Sequence, residues 1–222
     1  MAPHRITLRV NGKGYTGEAE ARKTLADFIR EDCGLTGTHL GCEHGVCGAC
    51  TILMNGEAVR SCLIFAVQAE GADLMTVEGL ADGDRLHPIQ QAYWDHHALQ
   101  CGFCTPGFLM TTVALLRDNP RPTEREIREG LAGNLCRCTG YQNIVTAVAA
   151  AADALASGAV SPATASREAV PRTPVPASGP PAQAARDVDG HPRPPAGGSG
   201  ARRRKKALTM KKASKRKRKP SR

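Results

Sequence analysis

Alternation of apolar and polar residues marks the first third of the chain as a small β-sheet. Residues 6–10 (Ile-Thr-Leu-Arg-Val) alternate as a half-buried strand does. The Asn-Gly pair at 11–12 predicts a hairpin turn into a second strand. Thr24, with Asp27 at the capping-box position, predicts the start of a short helix. The strands predicted here are 6–10, 15–19, 51–54, 58–61 and 74–77, and the helix is 24–30.

A helical period replaces the alternation after about residue 80. Pro106 stands at the start of one helical segment, where proline is favoured because its missing N–H is not needed there. Thr123 and Glu126 have the spacing of a capping box at the start of another. The predicted helices are 86–99, 107–116, 123–131 and 143–155. A sheet followed by four helices predicts an α+β fold in which the helices form a four-helix bundle.

The composition changes after Ser157. Residues 158–222 contain ten of the 15 prolines, seventeen Lys or Arg and three acidic residues, a balance of +14. Residues 1–157 have a balance of −5, so the net charge of +9 comes from the tail. The tail has too few apolar residues to offset the entropy of ordering, and it is predicted to be disordered. Its basic blocks, within 202–219, allow contact with polyanions but lack aromatic residues for base stacking; a solvated tail is the alternative.

The chain carries no sequence signal for a membrane. No apolar run approaches the roughly 18 residues that a spanning helix needs. The first ten residues contain neither the apolar stretch nor the twin arginine of an export signal. The sequence therefore predicts no membrane span and a cytoplasmic location. In that reducing compartment, clustered cysteines bind metal more often than they form disulfides.

Eight of the nine cysteines fall into two groups of four, and all nine precede residue 140. The first group has the spacing C-x4-C-x2-C with a fourth cysteine after eleven further residues, which is typical of a plant-type [2Fe–2S] cluster. The glycines around it favour an irregular loop, which can point several thiols at one cluster. The second group is a C-x2-C pair followed by a C-x-C pair. The first cysteine group is Cys42, Cys47, Cys50 and Cys62, and the second is Cys101, Cys104, Cys136 and Cys138.

Four other candidate residues are predicted to have structural roles. Cys33 stands alone and is predicted to be a small buried apolar side chain. His44 lies inside the first cysteine group, but a Rieske-type site needs two histidines on one iron, so His44 is predicted to be a loop residue. His96 and His97 are predicted to end a helix rather than to bind a metal.

Two alternatives to an iron–sulfur electron carrier follow from the same residues. Structural zinc sites also use C-x2-C pairs, but the C-x-C pair suits tetrahedral zinc poorly and the first spacing suits two irons better. The second alternative is a redox-sensing iron–sulfur protein that binds nucleic acid through its basic tail. That hypothesis predicts salt-dependent binding that is lost on truncation at Ser157.

Three segments together resemble the iron–sulfur subunit of the molybdenum hydroxylases, the family of xanthine dehydrogenase, aldehyde oxidoreductase and carbon monoxide dehydrogenase. They are residues 42–50 (CEHGVCGAC), 100–107 (QCGFCTPG) and 133–141 (GNLCRCTGY). The resemblance covers about residues 4–155 and does not extend into the tail. It implies three parts: a β-grasp, ferredoxin-like [2Fe–2S] domain over 4–79, a helical [2Fe–2S]-binding domain over 80–157, and the tail at 158–222.

The resemblance also implies electron relay between partner subunits. A molybdopterin-type cofactor lies in a separate large subunit and FAD in a medium subunit, in a heterotrimer that can pair into a dimer of heterotrimers. Single electrons pass from molybdenum to the second cluster, then to the first cluster and to FAD. Gln100 and Cys138 match positions that touch the pterin, and no catalytic residue is expected in this chain. Arg137 either compensates cluster charge or forms a surface salt bridge, and Tyr141 either lies near the electron path or is a core or interface aromatic.

Overall fold

The computed structural model describes residues 2–157, which form one mixed sheet and a set of helices. This arrangement confirms the predicted α+β class. The tail predicted to be disordered, residues 158–222, lies outside the described residues. In the part of the chain that the structure describes, no helix is long and apolar enough to cross a membrane.

The sheet has five strands. They are β1 (His4–Val10), β2 (Lys13–Ala19), β3 (Thr51–Met54), β4 (Glu57–Arg60) and β5 (Asp73–Met75). Their order is β2-β1-β5-β3-β4, with β1 parallel to β5 and the other pairs antiparallel. In β1, Ile6, Leu8 and Val10 are buried and the residues between them are exposed, as the alternation predicts.

The strand predicted over 74–77 is wrong at its C-terminal end. β5 ends at Met75, and Val77 begins a 3-10 turn. The cause is Asn11, whose Oδ1 accepts the Thr76 N–H at 2.9 Å while its Nδ2 donates to the Thr76 Oγ1 at 2.9 Å. A side chain thus replaces the neighbouring strand as the hydrogen-bond partner, and the ladder stops there.

The first helix begins where the sequence predicts, but it is not a regular α-helix. The Thr24 Oγ1 accepts the Asp27 N–H at 3.1 Å, which confirms the predicted cap. The α-helical part, α1, covers only Leu25–Asp27, and the chain continues as a π-helical turn over Phe28–Asp32. The wider turn was not indicated by the apolar spacing.

Four longer helices follow the sheet. They are α2 (Pro88–Asp95), α3 (Thr105–Asp118), α4 (Glu124–Leu131) and α5 (Gln142–Ala156). The predicted helix at 86–99 is too long at both ends, because His87 caps α2 and His97 has a left-handed φ of 52°. His96 and His97 therefore end a helix, as predicted. The Thr123–Glu126 capping box is present at the start of α4.

The buried apolar residues form two clusters that meet at β3. Neighbouring residues of a strand point to opposite faces of a sheet. Ile52 accordingly packs with Leu8, Phe28 and the other residues of the cluster on one face, here called the sheet-side cluster. Leu53 belongs to the other cluster, which consists mainly of residues from α2 to α5, such as Phe108. The sheet is therefore covered by helices where β3 lies.

The N-terminal cap of α2 is a titratable group. The neutral His87 imidazole accepts the Ile89 N–H through Nδ1 at 3.2 Å, and the Gln90 Oε1 accepts the His87 backbone N–H at 2.9 Å. Burial lowers the pKa of His87 below its usual value of 6.5. Protonation would also remove the acceptor and place a positive charge at a helix N-terminus, where the helix dipole disfavours it.

We expect the free energy of unfolding to fall as the pH drops below about 6.5. Because the pKa of His87 is lower in the folded chain, the unfolded chain takes up the proton first, so the contribution is complete above pH 6.5 and lost below the folded pKa. The loss should be about 0.5–2 kcal/mol, the range for a helix N-cap. Urea unfolding between pH 7.5 and 5.5 measures it. The variant His87→Asn keeps an acceptor that does not titrate, so an equally steep decline in that variant would contradict this assignment.

Candidate metal centres

The β3–β4 hairpin brings the two ends of the first cysteine group together. Cys50 directly precedes β3, and Cys62 lies in the turn after β4. The antiparallel register places Thr51 opposite Arg60, so the start of one strand lies beside the end of the other. The Ser61 Oγ donates to the Cys50 carbonyl at 2.7 Å and fixes this approach.

The other two thiols of this group lie in a loop without regular structure, here called the first cysteine loop (residues 41–50). The Cys47 N–H donates to the Cys42 Sγ at 3.3 Å, and this backbone donor is the main cause of a Cys42 pKa lowered to about 6. Burial raises the pKa of Cys62 to about 11, and the neighbouring Cys50 thiol raises it further. The thiols thus form two pairs, Cys42 with Cys47 and Cys50 with Cys62.

The second cysteine group meets at the ends of three helices. Cys101 and Cys104 directly precede α3, and Cys136 and Cys138 lie between α4 and α5. The Cys138 Sγ lies 3.4 Å from the Cys101 Sγ, and Cys136 is the thiol neighbour of Cys104 that adds most to the rise of its pKa. Burial raises the pKa of Cys104 to about 12. The structure thus brings the Cys101–Cys104 and Cys136–Cys138 segments together.

The second group has an inner and an outer pair. Cys104 and Cys136 are half-buried, whereas Cys101 and Cys138 are exposed. Exposed residues next to the group in sequence are Gln100, Phe103, Leu135 and Arg137. The outer pair therefore lies at the protein surface. Within residues 2–157, no three His, Cys, Asp or Glu side chains are grouped as a site for a single metal ion.

Thr139 and Tyr141, which follow the C-x-C pair in sequence, both form hydrogen bonds with Cys136. The Thr139 Oγ1 and N–H both donate to the Cys136 Sγ, at 3.1 and 3.4 Å. Burial opposes the thiolate, but these hydrogen bonds outweigh it and lower the pKa of Cys136. The Tyr141 hydroxyl accepts the Cys136 N–H at 3.0 Å, and its ring lies 6.4 Å from that of Phe108. Tyr141 thus combines partial exposure with a contact to the site.

The two cysteine groups lie on loops that touch each other. The His39 Nδ1–H donates to the Phe103 carbonyl at 2.7 Å, and the two rings stack with centroids 5.0 Å apart. Phe103 stands between Cys101 and Cys104 of the second group. On the other side, the Leu135 N–H donates to the Cys47 carbonyl at 2.9 Å. Each group is therefore held in part by residues that flank the other.

The residues predicted to have structural roles are placed accordingly. Cys33 is half-buried against the sheet-side cluster, and burial raises its pKa to about 11. His44 is an exposed loop residue whose Nδ1–H donates to the Cys42 carbonyl at 2.5 Å. Arg137 is exposed and takes part in none of the ion pairs found among residues 2–157, so the predicted salt-bridge alternative has no support there.

Three residues that contact the cysteine groups or their flanking segments were not among the predicted positions. They are His39, Arg60 and Thr139. His39 and Arg60 contact residues 64 and 73 positions away, and no local pattern signals such contacts. Thr139 directly follows the C-x-C pair, and a hydroxyl residue next to a candidate ligand is a local signal for a hydrogen bond to sulfur.

Two protein-family profiles match the described part of the chain. A 2Fe-2S iron-sulfur cluster binding domain matches residues 8–80, and a [2Fe-2S] binding domain matches residues 76–149. Each range contains one of the cysteine groups. Fold and sites together define a protein that carries two [2Fe–2S] clusters.

Comparison with individual relatives shows which kind of [2Fe–2S] protein this chain resembles. The chain is 62% identical to the nicotine 6-hydroxylase small subunit of Paenarthrobacter nicotinovorans over 143 residues, 64% of this chain and 86% of the relative. It is 54% identical to the caffeine dehydrogenase subunit gamma of Pseudomonas sp. strain CBB1, over 67% of this chain and 90% of the relative. A chain of quinoline 2-oxidoreductase from Pseudomonas putida 86 superposes with a TM-score of 0.69 at 51% identity, over 72% of this chain and all of that one.

The chain belongs to the family of iron–sulfur subunits of the molybdenum hydroxylases. As such it is an electron-transfer subunit of an oxidoreductase complex. The relatives favour this role over the nucleic-acid-binding alternative.

Proposed function

We propose that each cysteine group holds one [2Fe–2S] cluster through all four of its thiols. Such a cluster has two irons and four thiolate ligands, so each iron takes two. The neighbouring thiols support this division, with Cys42 and Cys47 on one iron and Cys50 and Cys62 on the other. The corresponding pairs of the second cluster are Cys101 with Cys138 and Cys104 with Cys136.

The two parts of the described chain are proposed to be the two cluster domains. The division into residues 4–79 and 80–157 is supported by the two buried clusters and by family matches that overlap only at 76–80. On this proposal the first part is a β-grasp domain and α2 to α5 form a four-helix bundle around the second site.

The clusters, when bound, supply one-electron oxidation and reduction. The chain's own residues place the ligands and donate hydrogen bonds to sulfur, which raises a cluster's reduction potential. The Cys47 N–H donates in this way to the Cys42 Sγ, and the Thr139 N–H and Oγ1 donate to the Cys136 Sγ. No side chain here needs to act as an acid, base or nucleophile, since substrate is oxidised in a partner subunit.

The second cluster is proposed to face the partner that carries a molybdopterin-type cofactor. The exposure of Cys101, Cys138 and Gln100 supports this, because a cofactor in another chain can reach only surface groups. The first cluster would then pass electrons to FAD in a second partner. Exposed Val46 and Leu63, which flank ligands of the first group, offer apolar surface for that contact.

The substrate class proposed for the complex is an aromatic or related N-heterocycle. Nicotine, caffeine and quinoline, named for the relatives described above, are all N-heterocycles. The pocket that selects the substrate lies in the large subunit, so this chain supports the assignment only through its similarity to the matching small subunits. The cytoplasmic location stays a prediction.

The test of the relay is purification of the native complex through a tag on this chain. We expect about four irons per chain, two distinct [2Fe–2S] signals in electron paramagnetic resonance (EPR) after dithionite reduction, and a co-purifying molybdenum subunit. Addition of an N-heterocyclic substrate should reduce both clusters. A colourless protein that contains zinc instead of iron would overturn the proposal, and clusters reduced by aldehydes alone would overturn the substrate class.

A further inference from the structure

Arg60 connects segments that belong to both cysteine groups. It is the last residue of β4, two positions before Cys62, and its side chain is half-buried. One guanidinium nitrogen, Nη1, donates to the Thr51 Oγ1 at 2.5 Å, beside Cys50. The other, Nη2, donates to the Gly133 carbonyl at 2.6 Å, at the start of the segment that leads to the second group.

The segment that Arg60 holds is bound to the first cysteine loop at consecutive residues. The buried Asn134 donates through Nδ2 to the Gly48 carbonyl at 3.1 Å, and the Leu135 N–H donates to the Cys47 carbonyl. A Cβ on Gly48 would lie 2.5 Å from the Gly133 carbonyl oxygen, so the two backbones are in direct contact. Arg60 adds a side-chain fork to these contacts at the point where the segment begins.

The charge of Arg60 is not balanced by a carboxylate. Arg60 takes part in none of the ion pairs among residues 2–157, and both of its hydrogen-bond acceptors are neutral oxygens. A reduced cluster carries one more negative charge than an oxidised one. A neighbouring unpaired cation therefore stabilises the reduced state and raises the potential. Because Arg60 contacts the residue after Cys50 and lies two before Cys62, the effect falls mainly on the first cluster.

We infer that Arg60 is a positioning residue for electron transfer between the two clusters. Its guanidinium fork fixes the spacing of the two cysteine groups, and its unbalanced charge favours electron transfer onto the first cluster. This inference rests on the proposed assignment of the eight cysteine ligands.

Two substitutions separate the fork from the charge. Arg60→Met keeps a long unbranched side chain but removes both the guanidinium fork and the positive charge. Arg60→Lys keeps the charge, but an ammonium group cannot reproduce the planar two-nitrogen fork. Arg125→Met is the matched control, since Arg125 is an exposed residue of α4 and its loss changes the net charge equally. The holo complex of each variant is titrated to its reduction midpoints, and the spin–spin splitting between the two reduced clusters is recorded by EPR.

In Arg60→Met, we expect the ratio of reduced to oxidised first cluster to fall about tenfold at a fixed ambient potential, which is about 59 mV for a one-electron couple. The splitting should change as well. In Arg60→Lys, we expect that ratio to change by less than threefold, because the charge is kept, while the spin–spin splitting changes. Arg125→Met should match the wild type in both the midpoint of the first cluster and the splitting.

Unchanged midpoints and splitting in Arg60→Met, with both cluster signals present, would overturn the inference and leave the relay intact. A shifted midpoint with unchanged splitting would overturn the positioning role. If Arg60→Met fails to load its clusters, Arg60→Lys is the deciding variant. A wild-type splitting in Arg60→Lys would then overturn the positioning role. Absence of two [2Fe–2S] signals in the wild type would instead count against the proposed function.

Discussion

Replacement of Cys104 by alanine is expected to lower the iron content from about four to about two per chain and to abolish reduction of the first cluster by substrate. Cys104 is half-buried beside the Cys136 thiol, so its loss leaves the second cluster with three ligands. The first cluster should remain, because its four thiols lie on other segments. Iron analysis and EPR measure both effects, and dithionite should still reduce the surviving cluster.

The matched control for Cys104→Ala is Cys33→Ala. Cys33 is also half-buried, and burial also raises the pKa of its thiol, but its side chain packs against the sheet-side cluster. We expect this variant to keep about four irons and full reduction by substrate. Iron loss in Cys33→Ala equal to that in Cys104→Ala would show that the effect is general destabilisation and would contradict the ligand assignment.

Replacement of Gly107 by alanine is expected to destabilise the protein by about 1–3 kcal/mol, the usual cost of an overpacked site. Gly107 lies in the first turn of α3, and a Cβ there would collide with the Gly48 carbonyl and come within 3.1 Å of the Ala49 Cα. Both obstacles are backbone of the first cysteine loop and cannot rotate away. A substitution in the helix that follows the second group should therefore impair loading of the first cluster.

Gly130→Ala provides the comparison within a helix. Its Cβ would meet the end of the Leu115 side chain at 2.9 Å, which can move, and alanine favours a helix by up to about 1 kcal/mol over glycine. We expect the stability of Gly130→Ala to equal or exceed that of the wild type. Urea unfolding of the holo protein and the EPR intensity of the first cluster distinguish the two variants. Equal behaviour of Gly107→Ala and Gly130→Ala would show that the close approach at Gly107 is not a constraint.

Local sequence patterns predicted most elements of the described fold and grouped the eight thiols. Alternation found β1, and the cap residues Thr24 and Thr123 located two helix starts, because the physical causes of these features lie within a few residues. The error at the end of β5 arose because a distant residue decides the outcome. Asn11 ends β5 from 65 positions away, and nothing in residues 74–77 signals this.

The same limit applies to the candidate site. Cysteine spacing assigns four thiols to each group, but pairing within a group depends on how separate segments approach each other. Cys138 meets Cys101 across 37 positions, and His39 meets Phe103 across 64. Such contacts depend on the packing of whole helices and strands. They become visible only when the folded chain is considered.

The position of β3 between two apolar clusters bears on how this molecule matures. Ile52 and Leu53 are adjacent, yet each completes a different cluster, so neither face of β3 is left to water. An N-terminal half expressed alone would expose Leu53 and its apolar surroundings, and exposed apolar patches promote aggregation. We therefore expect the first half, expressed alone, not to behave as a detachable ferredoxin-like domain. On this expectation, iron is inserted at both sites into a chain whose two halves depend on each other to bury their apolar residues.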